Sequence, residues 1–183
     1  MRLPGPFKGV ASAPHHDEPK RLLGDQVEAA PGYWFTSSLF GVDSGEDEET
    51  NPRLYGRQPA QWLRQKLLAR GYDVEEVIPE DWGWCVMCQR DPYRLWVACV
   101  NLRDYEYAKE GDPPLSKEWL LWNAVPMAEV PALKYLFRRK PDVASGLAKL
   151  EEDLLAVLKS ESQIQIVDEE VPQSWFLRRN KSA

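Results

Sequence analysis

The sequence predicts an α+β fold: a mainly antiparallel sheet of about five strands with two principal helices packed on one face. Three observations lead there. Residues 78–101 (IPEDWGWCVMCQRDPYRLWVACVN) hold the densest run of aromatic and β-favouring side chains in the chain. Residues 142–159 carry one leucine stripe at helical spacing. The order along the chain is strand, helix, two or three strands, an irregular insert, helix, strand.

The 78–101 stretch reads as the central hairpin. Trp84, Val86 and Cys88 alternate with Cys85, Met87 and Gln89, and Leu95, Val97 and Cys99 with Trp96, Ala98 and Val100. Such alternation sends successive residues to opposite faces. Both faces are largely apolar, as in a strand pair covered on both sides. Arg90, Asp91, Pro92 and Tyr93 form the turn, with Pro92 setting φ and Asp91 able to bond nearby backbone. Gly83, between Trp82 and Trp84, marks a bulge or a close backbone approach.

The 183 residues suit one domain with tails. The expected boundaries are an irregular arm at 1–31, a single α+β domain at 32–171 and a basic tail at 172–183. The arm is broken by Pro4, Pro6, Pro14, Pro19 and Pro31, with room for a helical turn over 20–29. Residues 33–42 (YWFTSSLFGV) make the first strand. An acidic loop follows: Asp43, Glu46, Asp47, Glu48 and Glu49.

A helix comes next, with Asn51 as its cap and Pro52 at its first position. Pro59 either kinks it or marks where the regular helix starts. Gly71 stops it in a left-handed conformation. Residues 72–78 form a short strand that Pro79 closes. Residues 102–117 read as a long polar loop, and 118–125 as a strand or a short helix. Pro126 and Pro131 bracket the next break, and 132–140 forms a short helix. In the second principal helix, 142–159, Leu147, Leu150, Leu154 and Leu158 make the apolar stripe and Asp142 the cap. Residues 163–167 alternate as a last strand.

The motifs YWFTSSLFGVDSGEDEETNPRLYGR and GYDVEEVIPEDWGWCVMCQRDPYRLWV resemble those of a family of uncharacterised bacterial proteins. The resemblance spans residues 33–169 and treats the N-terminal arm as an addition. It implies a bacterial, single-domain, cytoplasmic protein. It implies no activity, and no catalytic residue carries over.

Composition narrows the function. The formal net charge of −6 disfavours general nucleic-acid binding, which needs a basic surface. No apolar run reaches the ~18–20 residues of a membrane span, and no secretory leader is evident. Three cysteines are an odd number for a disulfide framework, so a reducing cytoplasm is expected.

Each candidate for chemistry has a plainer reading beside it. Cys85 and Cys88 have half of a redox or zinc spacing. Three apart in a strand, however, they face opposite sides, and no second pair exists, so packing is expected. His15 and His16 are the only histidines and lie in the arm, too sparse for a catalytic triad or a zinc centre. The acidic loop lacks EF-hand spacing. It reads as a self-repelling, solvated charge run, or else as a cation site or a dock for a basic partner. Glu80 and Asp81 beside Trp82 and Trp84 are either turn acids over buried indoles or a general acid in an aromatic pocket. Arg178, Arg179 and Lys181, with Trp175 and Phe176, form a solvated terminus or touch nucleic acid.

No phosphate-binding, dinucleotide, zincin or nucleophile-elbow motif is present. No cofactor, metal site or catalytic residue is therefore assigned. The expected function is that of a non-catalytic bacterial binding protein, of immunity type. It would offer an acidic, aromatic face to a basic protein partner through Asp43, Glu46, Asp47, Glu48, Glu49, Glu80, Asp81, Trp82 and Trp84, with Glu75 and Glu76 on the same face. The alternatives are a small hydrolase using Glu80 or Asp81 in a tryptophan-lined pocket, and a small-ligand sensor with a closed aromatic cavity.

Overall fold

A computed structural model describes residues 26–101, 120–135 and 139–168. Residues 1–25, 102–119, 136–138 and 169–183, with the two histidines, the long loop expected over 102–117 and the basic cluster of the tail, lie outside the described residues.

Among the described residues seven strands form one antiparallel sheet: β1 (Gln26–Ala29), β2 (Tyr33–Ser37), β3 (Ile78–Glu80), β4 (Gly83–Gln89), β5 (Arg94–Val100), β6 (Trp122–Val130) and β7 (Ile164–Val167). The order is β3-β4-β5-β6-β2-β7, with β1 also paired to β6. The hairpin β4–β5 lies in the interior of this order, as its two apolar faces require. Alternation sorts it as expected. Trp84, Val86, Leu95 and Val97 join one core, and Cys85, Met87, Trp96 and Ala98 the other. The turn between the strands contains a cis Asp91–Pro92 bond.

The first core lies under α1 (Arg57–Leu68) and α2 (Val143–Lys159). Leu63 and Leu67 of α1 and Leu147, Leu150, Leu154 and Leu158 of α2 are buried there against Phe35, Val97 and Trp122. Asp142 caps α2 as expected: its Oδ1 accepts from Ser145 N at 3.1 Å and its Oδ2 from Ser145 Oγ at 2.6 Å. Gly71, at φ 87°, ends α1, with Tyr72 N donating to Leu67 O at 3.2 Å and Gly71 N to Leu68 O at 3.0 Å, a Schellman closure.

Several expectations are corrected. Residues 26–29 are strand, not a helical turn. They pair with 127–130 of β6, so the folded unit begins before residue 32. The first strand stops at Ser37, where Ser37 Oγ accepts from Leu39 N at 3.1 Å and starts a turn. Of 72–78, only Ile78 is strand, and Pro79 lies inside β3 rather than closing it. As β3 ends the strand order, the missing N–H of Pro79 costs no ladder bond on that side. The undecided stretch after 118 resolves as β6, which runs straight through Pro126. Pro126 O accepts from Ala30 N at 3.0 Å, so the missing Pro126 N–H faces the same side. On that side the chain passes from β1 to β2 and neither strand has a residue paired with Pro126, whose partner, Val97 of β5, lies on the other side. Of the short helix expected over 132–140, Ala132–Tyr135 form a 3-10 turn, and 136–138 lie outside the described residues.

Candidate functional site

Helix α1 starts with a deficit. Its cap is Gly56, which offers no side-chain acceptor, and its first turn holds no acid. The leading N–H groups of a helix need acceptors from elsewhere. Glu46, in a 3-10 turn (Glu46–Glu48), supplies them. Its Oε1 accepts from Gly56 N and Arg57 N at 2.6 Å each, and its Oε2 from Asp43 N at 3.1 Å. Glu46 is fully buried, at 0 % exposure. Burial raises its pKa against the downward pull of the three amide bonds, and the Asp43 charge adds to the rise.

The rest of the loop is laced in the same way. Asp47 Oδ2 accepts from Arg53 N at 3.1 Å and from the Tyr55 hydroxyl at 3.2 Å. Thr50 Oγ1 donates to Leu54 O at 2.7 Å. Gln58 donates to Asp43 Oδ1 at 2.5 Å and accepts from Gly41 N at 2.8 Å. The Arg57 guanidinium sits 4.6 Å from the Trp84 ring centroid and pairs with Glu49, with Asp43 at 3.9 Å. Tyr55 docks on the end of β5: its N–H donates to Asn101 Oδ1 at 2.8 Å and its carbonyl accepts from Asn101 N at 3.0 Å.

The acidic loop is therefore not the solvated charge run expected of it. Of its five carboxylates only Glu48 and Glu49 are exposed; Asp43 and Asp47 are half-buried and Glu46 is buried. Asn51 is not a helix cap either. Its side chain donates to the carbonyl of Asp81 and so ties the loop to the β3–β4 turn. Pro59 falls in the first turn of a helix that begins at Arg57, the second of the two readings open for it.

That turn carries the other candidates. Glu80 pairs with Gly83 across the tight β3–β4 hairpin. Gly83, at φ 133°, brings its backbone against β5, where a Cβ would lie 2.7 Å from Val100 Cβ and 3.0 Å from Cys99 O. Glu80 and Asp81 are exposed. Partial desolvation, and then the Asp81 charge, raise the Glu80 pKa. Trp82 and Trp84 are 4 % and 2 % exposed, and the two indoles pack into different cores, Trp82 into the second and Trp84 into the first. Glu75 and Glu76 stand apart, paired with Arg90 at 2.7 Å and Arg64 at 2.8 Å.

Cys85 and Cys88 are buried in opposite cores, as strand geometry requires, and Cys99 joins Cys88 in the first. All three are free thiols. Burial raises each pKa, that of Cys88 to about 12. Among the described residues no three His, Cys, Asp or Glu side chains gather as metal ligands.

Two features escape sequence reasoning. One is the capping role of Glu46, whose only signal is a helix start without an acceptor of its own. The other is a cleft of about 280 Å³ at the end of the sheet, lined by Thr36, Ser37, Ser38, Ser162, Gln163, Ile164 and Gln165. Comparison with family models, with curated proteins and with solved structures yields no match.

Proposed function

We propose that this chain is a non-catalytic bacterial binding protein, of immunity type, whose acidic rim receives a basic protein partner. The observation that carries the reading is the Asn51–Asp81 bond, which joins two acidic segments far apart in sequence. It ties the loop that carries exposed Glu48 and Glu49 to the turn that carries exposed Glu80 and Asp81, which supports reading them as one acidic rim. The laced loop holds those acids on a fixed frame, so less ordering entropy is lost on binding. Opposite charge would speed association with a basic surface. Trp82 and Trp84 are buried and are not contact residues of this conformation.

Three free buried thiols and the lack, among the described residues, of any helix long and apolar enough to cross a membrane fit the cytoplasmic location we infer. The motif resemblance adds the bacterial source. The net charge of −6 favours a basic protein over nucleic acid as the partner.

The test is affinity capture from the source cell with wild-type chain and with Glu48→Lys/Glu80→Lys. The proposal expects a basic protein held by the wild type, released at about 0.5 M salt, and not held by the reversed variant. Capture of nothing, or equal capture by both, contradicts it.

A further inference from the structure

The cleft at the end of the sheet lies away from the acidic rim in the strand order, and its chemistry differs. Strands β2 and β7 form its base, with Thr36 opposite Gln165 and Ser37 opposite Ile164. The turns that leave β2 and enter β7 supply Ser38, Ser162 and Gln163. Six of the seven lining side chains are uncharged hydrogen-bonding groups, four hydroxyls and two carboxamides, and none carries a charge.

Little of that capacity is used within the protein. Ser38 Oγ donates to Gln163 Oε1 at 3.3 Å, which fixes the amide and leaves its NH2 as a donor. Ser37 Oγ accepts from Leu39 N at 3.1 Å and retains its own hydrogen. Each hydroxyl can both donate and accept, and each carboxamide offers both functions. Ile164 is the single apolar patch in the wall.

We propose that this cleft binds a small neutral polyhydroxylated ligand of monosaccharide size. An ionic ligand entering it would lose hydration without meeting a counter-charge in the lining. Glu161, whose Oε1 accepts from Gln163 N at 3.5 Å, places a negative charge beside the rim and further disfavours anions. An apolar ligand would leave the hydroxyls and amides unpaired. A neutral polyol satisfies donors and acceptors together. The volume lies just below the ~300–1,000 Å³ typical of drug-sized ligands and suits an occupant of one sugar ring.

The test is a titration of the full chain with glucose and galactose, each to about 50 mM, a range suited to the millimolar dissociation constants of weak binding. It is followed by amide and side-chain NMR shifts, with glucose 6-phosphate and glucosamine as charged comparators. The proposal expects saturable shifts at Thr36, Ser37, Ser162, Gln163 and the Gln165 carboxamide. It expects at least tenfold weaker binding of glucose 6-phosphate, and a smaller loss for the glucosamine cation, whose charge Glu161 partly offsets. Ser162→Trp, at an exposed turn position, should fill the cleft and abolish the shifts, while Glu48→Lys leaves them intact. An absence of saturable shifts with either neutral sugar overturns the proposal. So does tighter binding of a charged comparator, or unchanged binding by a Ser162→Trp variant with a wild-type spectrum elsewhere.

Discussion

Replacing Glu46 by alanine is expected to be the most damaging single change in the acidic loop. The substitution removes the acceptor for Gly56 N, Arg57 N and Asp43 N at once. A buried donor left unpaired costs ~1–3 kcal/mol, and loss of a helix cap about 1 kcal/mol. These losses overlap, and the variant no longer bears the cost of burying a carboxylate. The net loss is set at ~2–4 kcal/mol, a large share of the ~5–15 kcal/mol typical of a domain. In urea, with a slope of ~2 kcal/mol per M, the midpoint falls by ~1–2 M. Glu46→Gln should lose about half as much, since its carbonyl still serves Gly56 and Arg57 while its NH2 faces the Asp43 N–H. Glu48→Ala, at an exposed position, should leave the midpoint unchanged. Urea denaturation at pH 7 followed by tryptophan fluorescence compares all three. If Glu46→Ala and Glu48→Ala unfold at the same concentration, the capping argument is wrong.

Gly146→Ala should destabilise by ~1–2 kcal/mol despite better helix propensity, because the new Cβ would sit 1.7 Å from Tyr93 Oη. In a Tyr93→Phe background part of that cost should vanish, the ring Cζ still lying 2.9 Å from the new Cβ, and a double-mutant cycle measures the part owed to the hydroxyl. Cys85, Cys88 and Cys99 should resist a thiol reagent at pH 8 in the native state and react together in denaturant, since burial holds all three protonated; fast labelling of any one without unfolding would contradict this. Asp153 should shape the acid limb of stability. Burial raises its pKa, but bonds from Lys149, Tyr72 and Arg70 outweigh that and hold it below the ordinary 3.8. Its contribution is therefore present above pH 3.8 and lost as pH falls through the lower folded value. Asp153→Asn should flatten that limb in a pH series of thermal melts.

What the sequence showed followed from strong local patterns. The alternation from Trp84 to Val100 needed no tertiary help, because both faces of that hairpin are apolar and a slip of one residue would exchange them. The leucine stripe and Asp142 cap of α2 are likewise local. Strand β6 was hidden because Pro126 normally breaks a central strand, and only the arrangement of β1 and β2 around it frees that position of its N–H. Strand β1 was hidden among prolines and glycines, since four residues carry little pattern before a partner is known. The candidate rim was legible as composition, not as geometry. Five acids in seven residues suggested repulsion, whereas Glu46 turns inward to α1 and Asp47 to the backbone of Arg53. Nothing in the local sequence announces that Asn51 reaches Asp81, a contact across 30 residues.

The claim on which the rest stands is that the acidic loop is a folded clasp on α1. Amide hydrogen exchange at Gly56, Arg57 and Asp43 tests it most directly, because amides at a helix start ordinarily lack intrahelical partners and exchange fast. Bonded to a buried Glu46, all three should be protected well above exposed Ser44 and Gly45, whose amides donate no hydrogen bond, and Glu46→Ala should return them to the unprotected rate. Exchange at unprotected rates in the wild type would contradict the clasp and, with it, the fixed acidic rim.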